Sequence, residues 1–432
     1  MTEPQLAILG GAPVRRGKKA PRWPVSGEEE MGHVREVLDS SMWSRYLSKK
    51  ETGGPGDKVT EFERRFCEFL GAQHGIAVTN GTAALEVACR AIFPDPGDEI
   101  ITPAHSFVAS ATCAYAARAI PIFVDLDPET LCISPDRIEE AITPRTRAII
   151  AVHLDGYLCD MDRIMAIAEK HGLVVIEDCA RSHGSEWRGR KAGSIGHFGC
   201  FSFWNSKQMT CGEGGFVSSN DDQLSAAAAS IANQGRTAGG GQYEHSILGC
   251  NERMNQISAA VMLGQLSRLP SQIAHREENI ACLERLIEKQ PGFRHVRRDP
   301  RATCQTYFFA VFHYDPAEFQ GVPRTVFSKA MQAEGVPLQV GVDSGLYANA
   351  LFSREGLRAN KIDFLYRDHG RTIDYETLRF PVTEDNNSLR IQHRWLLGPK
   401  SDMEEFAAAV RKIHENAGEL AAYASQASEQ TA

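Results

Sequence analysis

Four kinds of side chain in this sequence could do chemistry together. The first is an amine. Lys207 closes the apolar, aromatic run Gly199-Cys-Phe-Ser-Phe-Trp-Asn-Ser-Lys207, and the glycine-rich turn Cys211-Gly-Glu-Gly-Gly215 follows. An amine at a strand end, beside flexible backbone, is the usual way to hold a carbonyl compound as a Schiff base. Taken alone, the same pattern also fits a surface lysine. The second is a carboxylate. The apolar strand Val174-Val-Ile-Glu-Asp178 delivers Asp178 to its C-terminal end, where open α/β sheets bind ligands. A buried carboxylate is costly unless it meets a cation, and a pyridinium nitrogen is such a cation. A helix N-cap is the other reading of Asp178.

The third group is a phosphate cradle. In Asn80-Gly81-Thr82 a strand ends and a small-residue helix begins. A helix start offers free N–H groups and glycine admits a close ligand; a plain Thr-capped junction has the same letters. Ser202 adds a hydroxyl one strand away, beside Lys207. The fourth is an aromatic ring. Phe107 follows a strand in Thr102-Pro-Ala-His-Ser-Phe107 and either stacks on a flat ligand or belongs to the core. Pyridoxal phosphate has a carbonyl, a ring nitrogen, a phosphate and a flat face, one for each of the four.

The elements that must position these groups are legible in the pattern. Strands are expected at 74–78, 99–102, 120–124, 146–153, 174–177, 198–203 and 215–218, and helices at 57–70, 83–92, 107–117, 135–142 and 160–171. Runs such as Arg147-Ala-Ile-Ile-Ala-Val152 are apolar on both faces, as strands of a covered parallel sheet are. Residues 1–56 read as an N-terminal arm with a short helix over 28–38, whose apolar face is Met31, Val34, Val37 and Leu38. Residues 57–275 read as a large α/β domain with a mostly parallel sheet between helices, and 276–432 as a smaller α+β domain. Two long helices are expected, Arg253–Leu269 and Ser271–Lys289, with Gly264 placed for close approach of another backbone. In the smaller domain the pattern gives a strand over 306–313, helices at 323–332 and 406–413, a loop-rich stretch at 340–375 and a frayed tail from 421. Loops 45–57, 235–247 and 340–375 are expected to line the pocket.

Bulk properties exclude several classes. With 432 residues, 42% hydrophobic and 24% charged, the chain is that of an ordinary globular protein of two domains. A net charge of −8 argues against nucleic acid as a partner. The 11 cysteines are scattered with no Cys-x-x-Cys pair, which gives no metal site and fits a reducing cytosol. No apolar run reaches the roughly 18 residues of a membrane span, and Met1-Thr-Glu-Pro does not open a signal peptide. A cytoplasmic protein is expected. No Gly-x-Gly-x-x-Gly follows the first strand, which disfavours a dinucleotide oxidoreductase.

Five motifs then occur in order: Asn80-Gly-Thr-Ala-Ala-Leu85, Val175-Ile-Glu-Asp-Cys-Ala-x-x-His-Gly184, Gly199-Cys-Phe-Ser-Phe-x-x-x-Lys207, Gly212-Glu-Gly-Gly215 and Leu248-Gly-x-Asn-x-Arg-Met254. The chain thereby resembles the DegT/StrS family of pyridoxal-phosphate-dependent sugar and cyclitol aminotransferases, of fold type I. The opening Leu6-Ala-Ile-Leu-Gly-Gly-Ala-Pro-Val14 and the late His393-Arg-Trp-Leu-Leu-Gly398 look most like its ketocyclitol branch, which acts on compounds such as scyllo-inosose and includes 3-amino-5-hydroxybenzoate synthase. The resemblance implies that Lys207 carries the cofactor and then acts as general acid and base. It implies that Asp178 pairs with the pyridine nitrogen, Phe107 stacks on the ring, and Gly81, Thr82 and Ser202 hold the phosphate. Asn251 would reach the phosphate from a second subunit, so the active unit would be a homodimer with shared sites.

The implied reaction moves an amino group from L-glutamine or L-glutamate, through pyridoxamine phosphate, to a ketone on a cyclitol or sugar. A dehydratase/aromatase of the aminohydroxybenzoate type and a non-catalytic regulatory relative are the alternatives; the family's sugar dehydratases replace the lysine by His, against which Lys207 stands. Two stretches depart from the family pattern. Arg181 stands where Gln or His commonly contacts the ring's phenolic oxygen, and its guanidinium would either favour the phenolate there or turn away to bind a substrate anion. Val340-Gly-Val-Asp-Ser344 lacks the Tyr and Pro of related cyclitol enzymes. His183 and Trp204 are further residues near the pocket, Trp204 either shaping it or packing.

Overall fold

The computed structural model describes residues 5–44, 57–236, 243–341, 344–367, 369–385 and 387–429. Its centre is a seven-stranded sheet in the order His74–Val78, Gly215–Ser219, Phe198–Ser202, Val174–Asp178, Thr146–Val152, Glu99–Pro103, Ile120–Val124. Five adjacent strands run parallel. Gly215–Ser219 is antiparallel to both its neighbours. The cause is local: the Lys207 turn joins it to Phe198–Ser202 without a crossover helix, and a short connection can only return antiparallel. The sheet residues Ile149, Ile150, Val175, Ile176, Phe198 and Phe201 are fully buried.

The strand that carries Ser202 toward Lys207 is backed by the helix Lys58–Leu70. Asp57 caps that helix by accepting the Thr60 N–H, and Gly71 ends it at φ +71°. Its apolar stripe sets Phe66 edge-on to Phe201, Phe203 and Phe216, at centroid distances of 5.2, 5.7 and 4.9 Å. Stacked and edge-on rings of this kind fix a backbone firmly.

Several expectations are corrected. The two helices expected at 253–269 and 271–289 are one, Gln256–Ile287, running through Pro270. A proline in a helix interior costs about 3 kcal/mol, which burial of Leu266, Leu269, Ile273, Ile280 and Leu283 on both sides of it offsets. Close to Gly264 lies a side chain, not a backbone: a Cβ there would come within 2.7 Å of Glu30 Cδ. The helix Glu28–Ser40 therefore buries only part of the face expected, with Val37 fully buried. Met31 and Leu38 are 58% and 47% exposed, while Glu30 is buried and held by Arg268 and by Gln265 Nε2 at 2.8 Å.

The smaller sheet is antiparallel, in the order Phe293–His295, Phe309–Tyr314, Ser388–Gln392, Gln339–Val340. The strand expected from Thr306 begins at Phe309, because Tyr307 adopts φ +48° and turns the chain there. The residues from 421, expected to fray, continue the helix Ala417–Glu429, with Leu420 fully buried. Residues 344–367 and 369–385 form short helical turns rather than open loop. They cover the sheet's edge with a second core of Leu346, Tyr347, Phe352 and Tyr375 against Phe123. The Tyr375 hydroxyl donates to the Pro121 carbonyl at 2.6 Å, and Asp125 accepts the N–H groups of Val382 and Thr383 at 3.1 Å each.

Candidate active site

The C-terminal ends of the parallel strands bring the predicted groups to one place. Asp178 ends its strand buried, and both its oxygens are held. Oδ1 accepts the Ala180 N–H at 3.1 Å, and Oδ2 accepts the Ser110 hydroxyl at 2.7 Å. Ser106 Oγ stands 2.9 Å from Ser110 Oγ, so with Ser110's proton given to Asp178, Ser106 donates to Ser110. Ser110, on the helix Ala109–Ala116, was not anticipated; its only trace in sequence is its place three residues after Phe107. The structure excludes a core position for Phe107, which is 62% exposed just before that helix.

Gly81 opens the helix Gly81–Ala91. A Cβ at Gly81 would come within 2.5 Å of Ser202 Cβ, so only glycine lets this helix start meet the strand that ends at Ser202. Asn80 Oδ1 accepts the Ala83 N–H at 2.9 Å. Among the described residues the N–H groups of Gly81 and Thr82, one and two residues into the helix, meet no acceptor and are left for a ligand. The buried His183 ring meets the Ser202 carbonyl at 2.9 Å from the other side. Burial and the neighbouring charge of Lys207 push His183 down to about 3, so it is neutral and its Nε2–H serves that carbonyl.

Lys207 is half-buried at the close of a turn in which its N–H donates to the Trp204 carbonyl at 2.8 Å. Its Nζ lies 4.8 Å from the centroid of the Phe308 ring. Burial, and then the charge of Arg181, lower the amine from 10.5 to about 7, against the opposing pull of Asp178 and Asp155. Arg181 is in the site. Its Nη1 lies 2.5 Å from Asp155 Oδ1 and its guanidinium 5.2 Å from the Phe308 centroid. Arg390 approaches the other Asp155 oxygen at 3.8 Å, and both line a cleft with His105 and Ser388. Asp155, Phe308 and Arg390 carried no motif in the sequence. Trp204 is half-exposed, which leaves it facing outward beside the lysine turn.

Asn251 is exposed, and its backbone bridges Asn233. Residues 45–56, 237–242, 342 and 343, within the stretches expected to line the pocket, lie outside the described residues, as does the centre of Val340–Ser344.

An amine near neutrality, a held carboxylate, an anion-ready helix start with no room for a side chain, and an exposed ring fit the aldehyde, ring nitrogen, phosphate and flat face of pyridoxal phosphate. The profile of the DegT/DnrJ/EryC1/StrS aminotransferase family matches residues 24–363. The chain belongs to that family. It is an aminotransferase of fold type I, a family that implies pyridoxal phosphate. This aminotransferase is 35% identical over 433 residues to L-glutamine:2-deoxy-scyllo-inosose aminotransferase of Streptoalloteichus tenebrarius, covering 96% of this chain and 99% of the relative. A protein of the same name from Streptomyces kanamyceticus is 35% identical over 435 residues, covering 97% and 99%. Among solved structures, 3-amino-5-hydroxybenzoic acid synthase superimposes with a TM-score of 0.77 at 30% identity, covering 92% of this chain and 98% of that one. Among the described residues of this aminotransferase, no helix is long and apolar enough to cross a membrane.

Proposed function

We propose that this aminotransferase moves the amino group of L-glutamine, or of L-glutamate, to a ketone on a cyclitol ring of the scyllo-inosose type, in the making of an aminoglycoside-like product. The convergence of Lys207, Asp178 and the Gly81–Ser202 contact at one set of strand ends carries the reading, and the names of the two bacterial relatives supply the donor and acceptor class. When bound, pyridoxal phosphate supplies an electron sink for the carbon that gains or loses the amino group.

The chain's own residues do the rest. Asp178, oriented by two donors, holds the pyridine nitrogen in its protonated form. Gly81, Thr82 and Ser202 bind the phosphate, and Phe107 gives its open face to the ring. Lys207, lowered to about 7, binds the aldehyde as a neutral amine near neutral pH. Once displaced, it takes the proton from the donor's α-carbon and returns it one position along. Arg181 and Arg390 share one carboxylate, which leaves one positive charge and unspent donors for the carboxylate of the amino donor. Asn251 serves the partner's site in a homodimer. The 11 free cysteines suit a cytoplasmic enzyme.

Borohydride reduction of the loaded enzyme, followed by peptide mapping, is expected to find the cofactor on Lys207. Lys207→Ala is expected to give no adduct and to lose more than about a thousandfold in transfer rate. An adduct that persists in Lys207→Ala overturns the assignment. Adding L-glutamine without acceptor is expected to convert the bound cofactor to its amine form; a spectrum unmoved by any amino donor points instead to the aromatase chemistry of the aminohydroxybenzoate type. A panel including 2-deoxy-scyllo-inosose, 3-amino-2,3-dideoxy-scyllo-inosose and nucleotide ketosugars then identifies the acceptor.

A further inference from the structure

The turn that presents Lys207 is held from outside. It offers three carbonyls, those of Trp204, Asn205 and Ser206. The first accepts the Lys207 N–H. The Asn205 carbonyl accepts the indole N–H of Trp23 at 3.1 Å, from the N-terminal arm. The Ser206 carbonyl accepts Nε2–H of His393 at 2.9 Å, from the far end of the chain. A residue's Cα–Cβ direction follows from the peptide planes beside it, so fixing these carbonyls fixes where the lysine points.

His393 can make that bond in one tautomer only, and Arg276 selects it. Arg276 Nη2 lies 3.1 Å from His393 Nδ1. A guanidinium only donates, so Nδ1 must accept and the ring proton must sit on Nε2. Burial and the charge of Arg276 hold His393 well below its usual range, so the ring stays neutral. The imidazole is then packed between an edge-on Trp23 at 4.6 Å and a stacked Phe308 at 5.9 Å, the same Phe308 that faces Lys207 Nζ.

Arg276 is an expensive residue to keep. It is 0% exposed, and its Nε and Nη1 find no partner among the described residues. Its guanidinium lies 5.9 Å from the Trp23 ring. A buried charge with two unmet donors costs stability, and an apolar side chain of its size would be cheaper. Its Nη2 reaches Gln272 Oε1 at 3.4 Å and, at the shorter distance, the histidine that holds the lysine turn.

We propose that Trp23, His393 and Arg276 are positioning residues for Lys207: a clamp from the arm, the small sheet and the long helix that sets the direction and burial of the amine. The proposal rests on Lys207 being the cofactor lysine. Three variants of the full chain test it. His393→Phe keeps the ring packing and removes the donor. His393→Gln keeps an N–H at similar reach. Trp23→Phe removes the other donor at a half-buried site where the fold is not at risk. The first readout uses enzyme without cofactor: the pH dependence of Lys207 reductive methylation, followed by mass spectrometry. The second is kcat and KM for L-glutamine in loaded enzyme.

A freed lysine turn lets the amine reach water, so its pKa rises by about one unit and modification at pH 7 falls about fivefold. In His393→Phe, kcat is expected to fall about tenfold with KM within about twofold, since the amine is misaimed and the substrate site is intact. Trp23→Phe is expected to move both readouts in the same direction, by about threefold. His393→Gln is expected to stay within about threefold of wild type. Wild-type labelling and kcat in both His393→Phe and Trp23→Phe overturn the clamp, as does a His393→Gln variant as impaired as His393→Phe. If borohydride mapping of the wild type finds the cofactor elsewhere, the functional reading fails; the labelling profile of the cofactor-free chain judges the clamp separately.

Discussion

The site has two walls, and they are finished differently. On the sheet side, the two carboxylates are matched. Asp178 has two donors, and Glu177 just before it, wholly buried, accepts the N–H groups of Gly193, Ile195 and Gly196 at 2.7–3.0 Å and meets His153 at 2.9 Å. His153 Nδ1 accepts the Cys159 N–H, so the cluster of His153, Glu177 and Cys179 spends its polar atoms on the fold. Where the large sheet's strand ends meet the smaller sheet, two guanidiniums share Asp155, and Arg390 Nε is buried without a partner among the described residues. A completed network is rigid and holds a cofactor in one pose. An incomplete one has donors to give, which is what a wall that meets successive substrates requires.

Substitutions on the two walls should therefore fail differently. Among substitutions of the walls' charged partners to neutral amides, Asp178→Asn is expected to have the largest effect. The amide retains the shape and can still accept from Ser110, but it removes the charge that keeps the ring nitrogen protonated. A fall in kcat of about a thousandfold is expected, with the fold intact by circular dichroism. A loss below about tenfold would mean that the matched wall is structural only. Arg181→Gln comes next, at about thirtyfold in kcat/KM for L-glutamine, carried mainly by KM. Because the Arg181 charge helps depress Lys207, the same variant should raise the Lys207 pKa toward its usual value. An unchanged KM and an unchanged pKa together would remove Arg181 from the substrate wall.

The contrast also decides what could be read from the chain. The sheet-side wall was legible because its residues come in short runs, with Asp178 at the end of an apolar strand and Lys207 before a glycine turn. Periodicity recovered the strands of the large sheet almost residue for residue. The wall shared with the smaller sheet was not legible. Asp155 and Arg181 are 26 residues apart, and Arg276 and His393 117 apart, so no local pattern joins them. Arg181 was singled out from its departure from a motif, yet its partner was invisible. The helix break at Pro270 was misread for a similar reason: tertiary burial outweighed a local preference. Met31 and Leu38 were placed inward by spacing alone, whereas the buried positions are Val37, as expected, and the charged Glu30, satisfied by Arg268 from the long helix.

The smallest effect tests the amine itself, on enzyme freed of cofactor. Lys207 titrates at about 7 in the folded chain, lowered first by burial and then by Arg181, and near 10.4 when unfolded. Between those values the unfolded chain holds the extra proton, so stability rises with pH across that window, by at most about 1.4 kcal/mol per pH unit from this group. Below pH 7 both states are protonated and the burial penalty is fully present; above about 10.4 both are neutral and it is gone. Lys207→Met removes the titrating group. Urea unfolding of cofactor-free protein at pH 7 and pH 9 should thus show wild type gaining on Lys207→Met as pH rises. Equal gains in the two proteins would place the Lys207 amine in water and leave the matched wall without its near-neutral nucleophile.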